Sequence, residues 1–249
     1  MNNKEASKNS FNCFKFRVVN ECLIDSLHSS TLYFASREAL NDQFDSNIDV
    51  ETILKKFAVD PKNELNRKIG KEILKNRAFF QKFHRNIAKL GICSFSIALH
   101  QTLMWAHYGN AHRGVALEYD FPLEYLNDED KFLGISAITY DNDAISAWLN
   151  NHLSLYESDH YEFVTGLFKV MLTSKSPSWS YEEEGRIIRP TTGLLEIPRK
   201  MLKSVTFGLR ISDKDETALR DAIDSNYSGI QYRRVVRGDS DFGLKFIAV

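Results

Sequence analysis

What the 249-residue sequence lacks narrows its function before any motif is read. No apolar run approaches the roughly 20 residues that cross a bilayer, which excludes a transmembrane helix and a membrane role. Cysteine is scarce. Cys13, Cys22 and Cys93 are an odd number without metal-ligand spacing, and Met1–Asn12 is too polar for a secretory leader, so reduced thiols in a cytoplasm are expected. Charge of one sign is missing too: Lys+Arg 32 against Asp+Glu 33 leaves a net charge of −1, so the chain as a whole has no electrostatic reason to gather on nucleic acid or anionic lipid. There is no internal repeat, low-complexity tract or Pro/Gly linker. A Gly-rich phosphate loop, a G-x-S-x-G elbow, H-E-x-x-H, paired C-x-x-C and the kinase signatures are all absent.

What remains is ordinary for a folded chain, 43% hydrophobic and 26% charged, with enough apolar side chain for one domain over residues 13–249 behind a flexible 1–12. Phe14–Val19 predicts a strand, Asn20–His28 a helix capped by Asn20, and Thr31–Ser36 a second strand. A helical insertion over about 49–90 places Ile53, Leu54 and Phe57, then Ile69, Ile73 and Leu74, at helical spacing on two helices broken at Pro61. Gly91–Ser96, Gly114–Asp120, Leu133–Tyr140, Gly185–Arg189 and Ser204–Leu209 read as strands. Thr102–Gly109 reads as a short helix, and Asp159–Ser174 as a helix with Phe163, Leu167, Val170 and Met171 on one face. Asp213–Asn226 forms a polar helix capped by Ser212, and Tyr232–Val236 pairs with Gly243–Val249 across Arg237–Phe242. The expected class is α+β, with a mixed, largely antiparallel sheet and flanking helices.

Three polar–aromatic clusters carry the candidate chemistry. In Leu32-Tyr33-Phe34-Ala35-Ser36 followed by Leu40-Asn41-Asp42-Gln43-Phe44-Asp45, the short polar residues either bond their own backbone as an Asx-turn or offer Ser36 and Asn41 to a sugar or amide at a pocket rim. Met104 to Gly114 gathers Trp105, His107, Tyr108, His112 and Arg113 at a helix-to-strand junction, either as an aromatic core anchor or as a ligand site. In Trp179-Ser180-Tyr181-Glu182-Glu183-Glu184-Gly185-Arg186, an extended backbone would put Glu182, Glu184 and Arg186 on one face. They then form either a neutralising structural network or a carboxylate held for chemistry, positioned by Arg186 and Trp179, with one pKa raised by its neighbour.

Together, L-Y-F-A-S with L-N-D-x-F-D, M-W-x-H-Y-x-x-x-H-x-G and W-x-x-E-x-E-x-R resemble the bacterial family catalogued as domain of unknown function 2971. The likeness runs from Phe14 to about Arg210, with F-G-L-R-I (Phe207–Ile211) as a late strand; Gln43 stands where the family usually has proline, which loosens that turn. The motif order is also similar to the ADP-ribosyltransferase superfamily. That resemblance implies an ADP-ribosyltransferase-like architecture around an NAD cleft, with NAD as substrate. It makes Arg17 the first-strand basic residue, Tyr33 with Ser36 the second-strand pair, Tyr108 or His112 the group on the nicotinamide riboside, and Glu184 (or Glu182) the late glutamate. Asn41, His107, Trp179 and Arg186 join the cofactor-binding set.

The chemistry has a physical rationale: cleaving nicotinamide from ribose passes through an oxocarbenium-like state that a carboxylate stabilises, while an aromatic platform holds the ring and an arginine the pyrophosphate. The resemblance further implies a cytoplasmic toxin or antiphage effector with an antitoxin partner and a protein or nucleic acid acceptor. Arg17, Arg113, Arg186, Arg233, Arg234 and Arg237 are candidates for a basic patch. Two alternatives stay open: a hydrolase or nuclease with a divalent metal on Asp42, Asp45, His107, His112 and Glu184, and a nucleotide-binding module without turnover.

Overall fold

In the computed structural model, which describes residues 9–60, 63–239 and 243–249, the strands are β1 (Ser10–Arg17), β2 (Thr31–Phe34), β3 (Gly91–Ser96), β4 (Val115–Pro122), β5 (Gly134–Ala137), β6 (Thr139–Tyr140), β7 (Ser174–Lys175), β8 (Glu184–Arg189), β9 (Gly193–Glu196), β10 (Leu202–Phe207), β11 (Gln231–Arg237) and β12 (Leu244–Ala248). Eight of them form one sheet in the order β12-β11-β10-β4-β1-β3-β8-β5. Every neighbouring pair in it is antiparallel except β10–β11. β2 pairs with β9, and β6 with β7, outside that sheet. The α+β class with a mixed, largely antiparallel sheet is therefore what the chain adopts.

The helices are α1 (Glu21–Ser29), α2 (Val50–Ala58), α3 (Glu64–Lys75), α4 (Arg77–Ile87), α5 (Thr102–His107), α6 (Leu123–Leu126), α7 (Ala144–His152), α8 (Leu155–Ser158), α9 (His160–Thr173) and α10 (Asp213–Asp224). Their apolar stripes make three cores. Leu23 and Leu27 of α1 and Leu219 and Ile223 of α10 share a core with Leu117 and Val205 of the sheet. Leu54, Ile69, Ile73, Phe163 and Leu167 form a second core against Ile92 and Ile188. A third, smaller one joins Phe16, Met104, Trp105, Ala116 and Val235. Side-chain caps start the helices where the sequence expects them: Asn20 Oδ1 accepts from Leu23 N at 3.0 Å, and Ser212 Oγ from Asp215 N at 3.1 Å.

Three expectations are corrected. β1 begins at Ser10, paired with Pro122, so Ser10–Asn12 belong to the sheet and not to a frayed leader; residues 1–8 lie outside the described ones. The 49–90 insertion contains three helices. Asn76 closes α3 and caps α4 through Phe79 N at 3.0 Å, while the expected break at Pro61 lies outside the described residues. The 133–140 strand divides at Ile138: β5 pairs with β8, a ladder that ends on the Ile138 N–H to Glu184 carbonyl bond at 2.9 Å, and β6 pairs with β7 instead. β11 and β12 pair as expected, but residues 240–242 of their connection lie outside the described ones.

One irregularity positions the site. β1 pairs along its whole length with β4, yet with β3 it shares only Phe14↔Ser96. Beyond that pair the ladder lapses, Lys15 Nζ reaches across to the Ser94 carbonyl at 2.8 Å, and β3 is joined instead by an isolated bridge from Ala35 to Ile92. Residues of both strands line the gap.

The far end of β1 depends on a missing side chain. A Cβ on Gly114 would lie 2.2 Å from the Arg17 carbonyl oxygen. Gly114→Ala should therefore lower stability in urea denaturation by about 1–3 kcal/mol, the usual cost of overpacking; an unchanged midpoint would contradict this close approach.

Candidate functional site

The third cluster is not extended. Pro177–Glu182 forms a 3₁₀ turn, Glu183 takes the left-handed conformation (φ 43°), and only then does β8 begin at Glu184. Burial and charge override the expected alternation, because the αL step at Glu183 turns Glu182 back beside Glu184 while strand alternation brings in Arg186. Glu183 points elsewhere and accepts from Gln101 Nε2 at 2.6 Å.

Arg186 has no solvent exposure and is held on every side. Its Nε donates to Glu184 Oε1 at 2.6 Å and its Nη2 to Asp45 Oδ2 at 2.5 Å. Its Nη1 donates to Asp45 Oδ1 at 2.9 Å, Ser46 Oγ at 3.0 Å and the Leu172 carbonyl at 2.8 Å. Lys175 Nζ, also buried, reaches Glu182 Oε2 at 2.5 Å, Glu184 Oε2 at 3.0 Å and Asp45 Oδ2 at 3.5 Å, and lies 5.0 Å from the centre of the Trp179 ring. Tyr108 Oη donates to Glu182 Oε1 at 2.5 Å and accepts from Asn41 Nδ2 at 2.7 Å, while Tyr140 Oη accepts from Glu184 N at 2.8 Å. Three buried carboxylates thus share two buried cations.

The two glutamates are pushed apart. Burial drives Glu184 upward, but the Arg186 guanidinium and the Lys175 ammonium outweigh it and hold its carboxyl down at about 2. For Glu182 burial prevails over the Lys175 and Tyr108 hydrogen bonds, and its carboxyl lies above the ordinary carboxylate value. Burial and the Glu182 charge push Tyr108 up, so it stays a phenol and donates.

A cleft of ≈ 720 Å³ opens in the gap between β1 and β3. Arg17, Tyr33, Asn41, Tyr108, Glu182 and Glu184 all line it, so members of all three clusters and the first strand face one hollow. Lys15, Phe14, Phe16, Asp45 and Lys175 complete its walls and floor. Other candidates stand elsewhere. Ser36 hydrogen-bonds Glu38, and exposed His107 rests 6.1 Å from the Tyr181 ring. His112 occupies a left-handed turn (φ 66°), where its carbonyl accepts from Arg210 N at 2.8 Å, and burial followed by the Arg210 charge lowers its pKa. Trp179 borders a separate hollow, and Arg186 lies behind the floor as its support. Trp105 is a core anchor, edge-on to Phe16 at 5.0 Å.

Two further expectations change. The ligand set Asp42, Asp45, His107, His112 and Glu184 is not assembled: Asp45 and Glu184 are held by Arg186 and Lys175, and among the described residues no group of three or more His, Cys, Asp or Glu is placed to hold a metal. The six arginines form no continuous basic patch, because Arg186 is buried and Arg233 and Arg234 are paired with Glu118 and Glu216. Sequence reasoning missed Lys175 entirely; its signal is a lone lysine at the end of an apolar helix face, seven residues before Glu182.

Removing Arg186 leaves Asp45 and Glu184 buried without their main partner, so Arg186→Met should cost about 3–5 kcal/mol in chemical denaturation; a loss below about 1 kcal/mol would contradict the network. Because Glu184 is depressed in the fold, its contribution is fully present above its ordinary value of 4.5 and fades as pH falls from there toward 2. Thermal melts over that range should show a stability loss that is smaller in Glu184→Gln.

Comparison with curated proteins and with solved structures finds no match. Residues 104–187, which span the second and third clusters, match the family described as "Protein of unknown function (DUF2971)".

Proposed function

We propose that the protein is an ADP-ribosyltransferase-like enzyme that consumes NAD to modify a macromolecule, protein or nucleic acid, in the manner of a toxin or antiphage effector held in check by an antitoxin. The observation that carries this reading is the meeting of Arg17, Tyr33, Asn41, Tyr108, Glu182 and Glu184 around one cleft. In the reaction the ribose C1′–N bond breaks and its electron pair leaves with nicotinamide; the acceptor nucleophile bonds C1′ and gives up its proton.

This chain supplies the matching groups. Glu182 is the carboxylate next to the developing positive charge, because it meets the cleft through Tyr108, a half-buried donor that a ribose hydroxyl can replace. Glu184, which leads on sequence grounds, is tied by both oxygens to Arg186 and Lys175 and acts by holding Lys175 against Glu182. Tyr33, 53% exposed at the mouth, offers a ring face, and Arg17 with Lys15 offers cations to a pyrophosphate.

The test is nicotinamide release from NAD, measured with a bacterial lysate supplying acceptors. Release should fall about 100-fold or more in Glu182→Gln and about tenfold in Tyr108→Phe, each with unchanged circular dichroism. Absence of release from the wild-type chain would contradict the enzymatic reading, and NAD raising the melting temperature without release would assign a binding module instead.

A further inference from the structure

The ion network has a second side. Asp45 and Lys175 line the NAD cleft proposed above and also line a separate hollow of ≈ 490 Å³, which Trp179, Phe44, Asp42 and Asp141 help to enclose. Its wall is partly aromatic: Phe44 is 81% exposed, and Trp179 carries the Lys175 ammonium at 5.0 Å from its ring centre.

Charge decides what the partner is. Lys175 and Asp45 are consumed by their own network, which leaves Asp42 and Asp141 as the free formal charges at the hollow. Each uses Oδ1 to accept a nearby backbone N–H, Asp42 from Phe44 N and Asp141 from Asp143 N, both at 2.9 Å. Neither has an ion-pair partner among the described residues. Two unpaired carboxylates around an aromatic wall repel a phosphodiester backbone and attract a flat cation that stacks and donates hydrogen bonds together.

We infer that this hollow is a docking subsite for an arginine side chain on a basic segment of a protein partner. The guanidinium lies against Phe44 and Trp179 and donates to Asp42 and Asp141. The inference does not rest on NAD cleavage, because binding at the hollow is measured without NAD.

The experiment titrates the full chain with a hexa-arginine peptide, and separately with single-stranded DNA, by isothermal calorimetry at low and physiological salt. The Asp42→Asn/Asp141→Asn double variant keeps both turn acceptors while removing both charges, and Phe44→Ala alters a residue the core does not use. Each should weaken the peptide about tenfold or more without changing the melting temperature, and salt should weaken it further. Peptide affinity equal in wild type and both variants would overturn the subsite, as would absence of peptide binding or preference for the DNA. Failure here leaves nicotinamide release untouched, and failure of that release leaves this titration intact.

Discussion

The buried guanidinium of Arg186 is the interaction on which the rest of the site depends. A cation with no solvent exposure is tolerable only when every donor is met, and here the partners come from three separate parts of the chain: Asp45 and Ser46 from the turn after β2, the Leu172 carbonyl from the end of α9, and Glu184 from its own strand. Satisfying Arg186 therefore locks the loop that carries Asn41 against the strand that follows Glu182. Asn41 then reaches Tyr108, and Tyr108 reaches Glu182. A demand of burial thus assembles a chain of polar groups at the cleft floor.

The same network separates two carboxylates that lie two residues apart. Glu184 meets both cations, Arg186 and Lys175, and ionises with ease, whereas Glu182 meets Lys175 alone and is dominated by desolvation. Two titratable groups pushed apart in this way supply an ionised anchor and a tunable acid within one site. The lapse between β1 and β3 gives them their access, because a complete ladder there would leave no gap.

Much of this architecture was legible because local signals and tertiary demands agree. Asn20 and Ser212 cap the helices they precede, and the period of Phe163, Leu167 and Met171 marks the buried face of α9. The polar–aromatic clusters marked Tyr33, Asn41, Tyr108, Glu182 and Glu184 as candidates, and the fold is what brings them to one cleft. Other features had only a weak local signature. The 3₁₀ turn at Pro177–Glu182 ends on an αL step at Glu183, which sets Glu182 beside Glu184 as strand alternation would. His112 looked functional by composition, yet Asn110, Ala111 and His112 are three successive positive-φ residues whose role is to turn the chain. Lys175 escaped because a lysine after an apolar helix is a weak signal on its own, and its partners come from distant parts of the chain. The third helix of the insertion escaped because Asn76 both ends one helix and caps the next, leaving a gap of a single residue.

The central claim is that the Arg186 network splits the two glutamates into an ionised support and a raised acid. Site-resolved carbon NMR of the side-chain carboxyls across a pH titration reads this directly. The account predicts that Glu184 titrates near 2 and Glu182 above the ordinary value of 4.5. Overlapping titrations of both carboxyls at the ordinary value would contradict it.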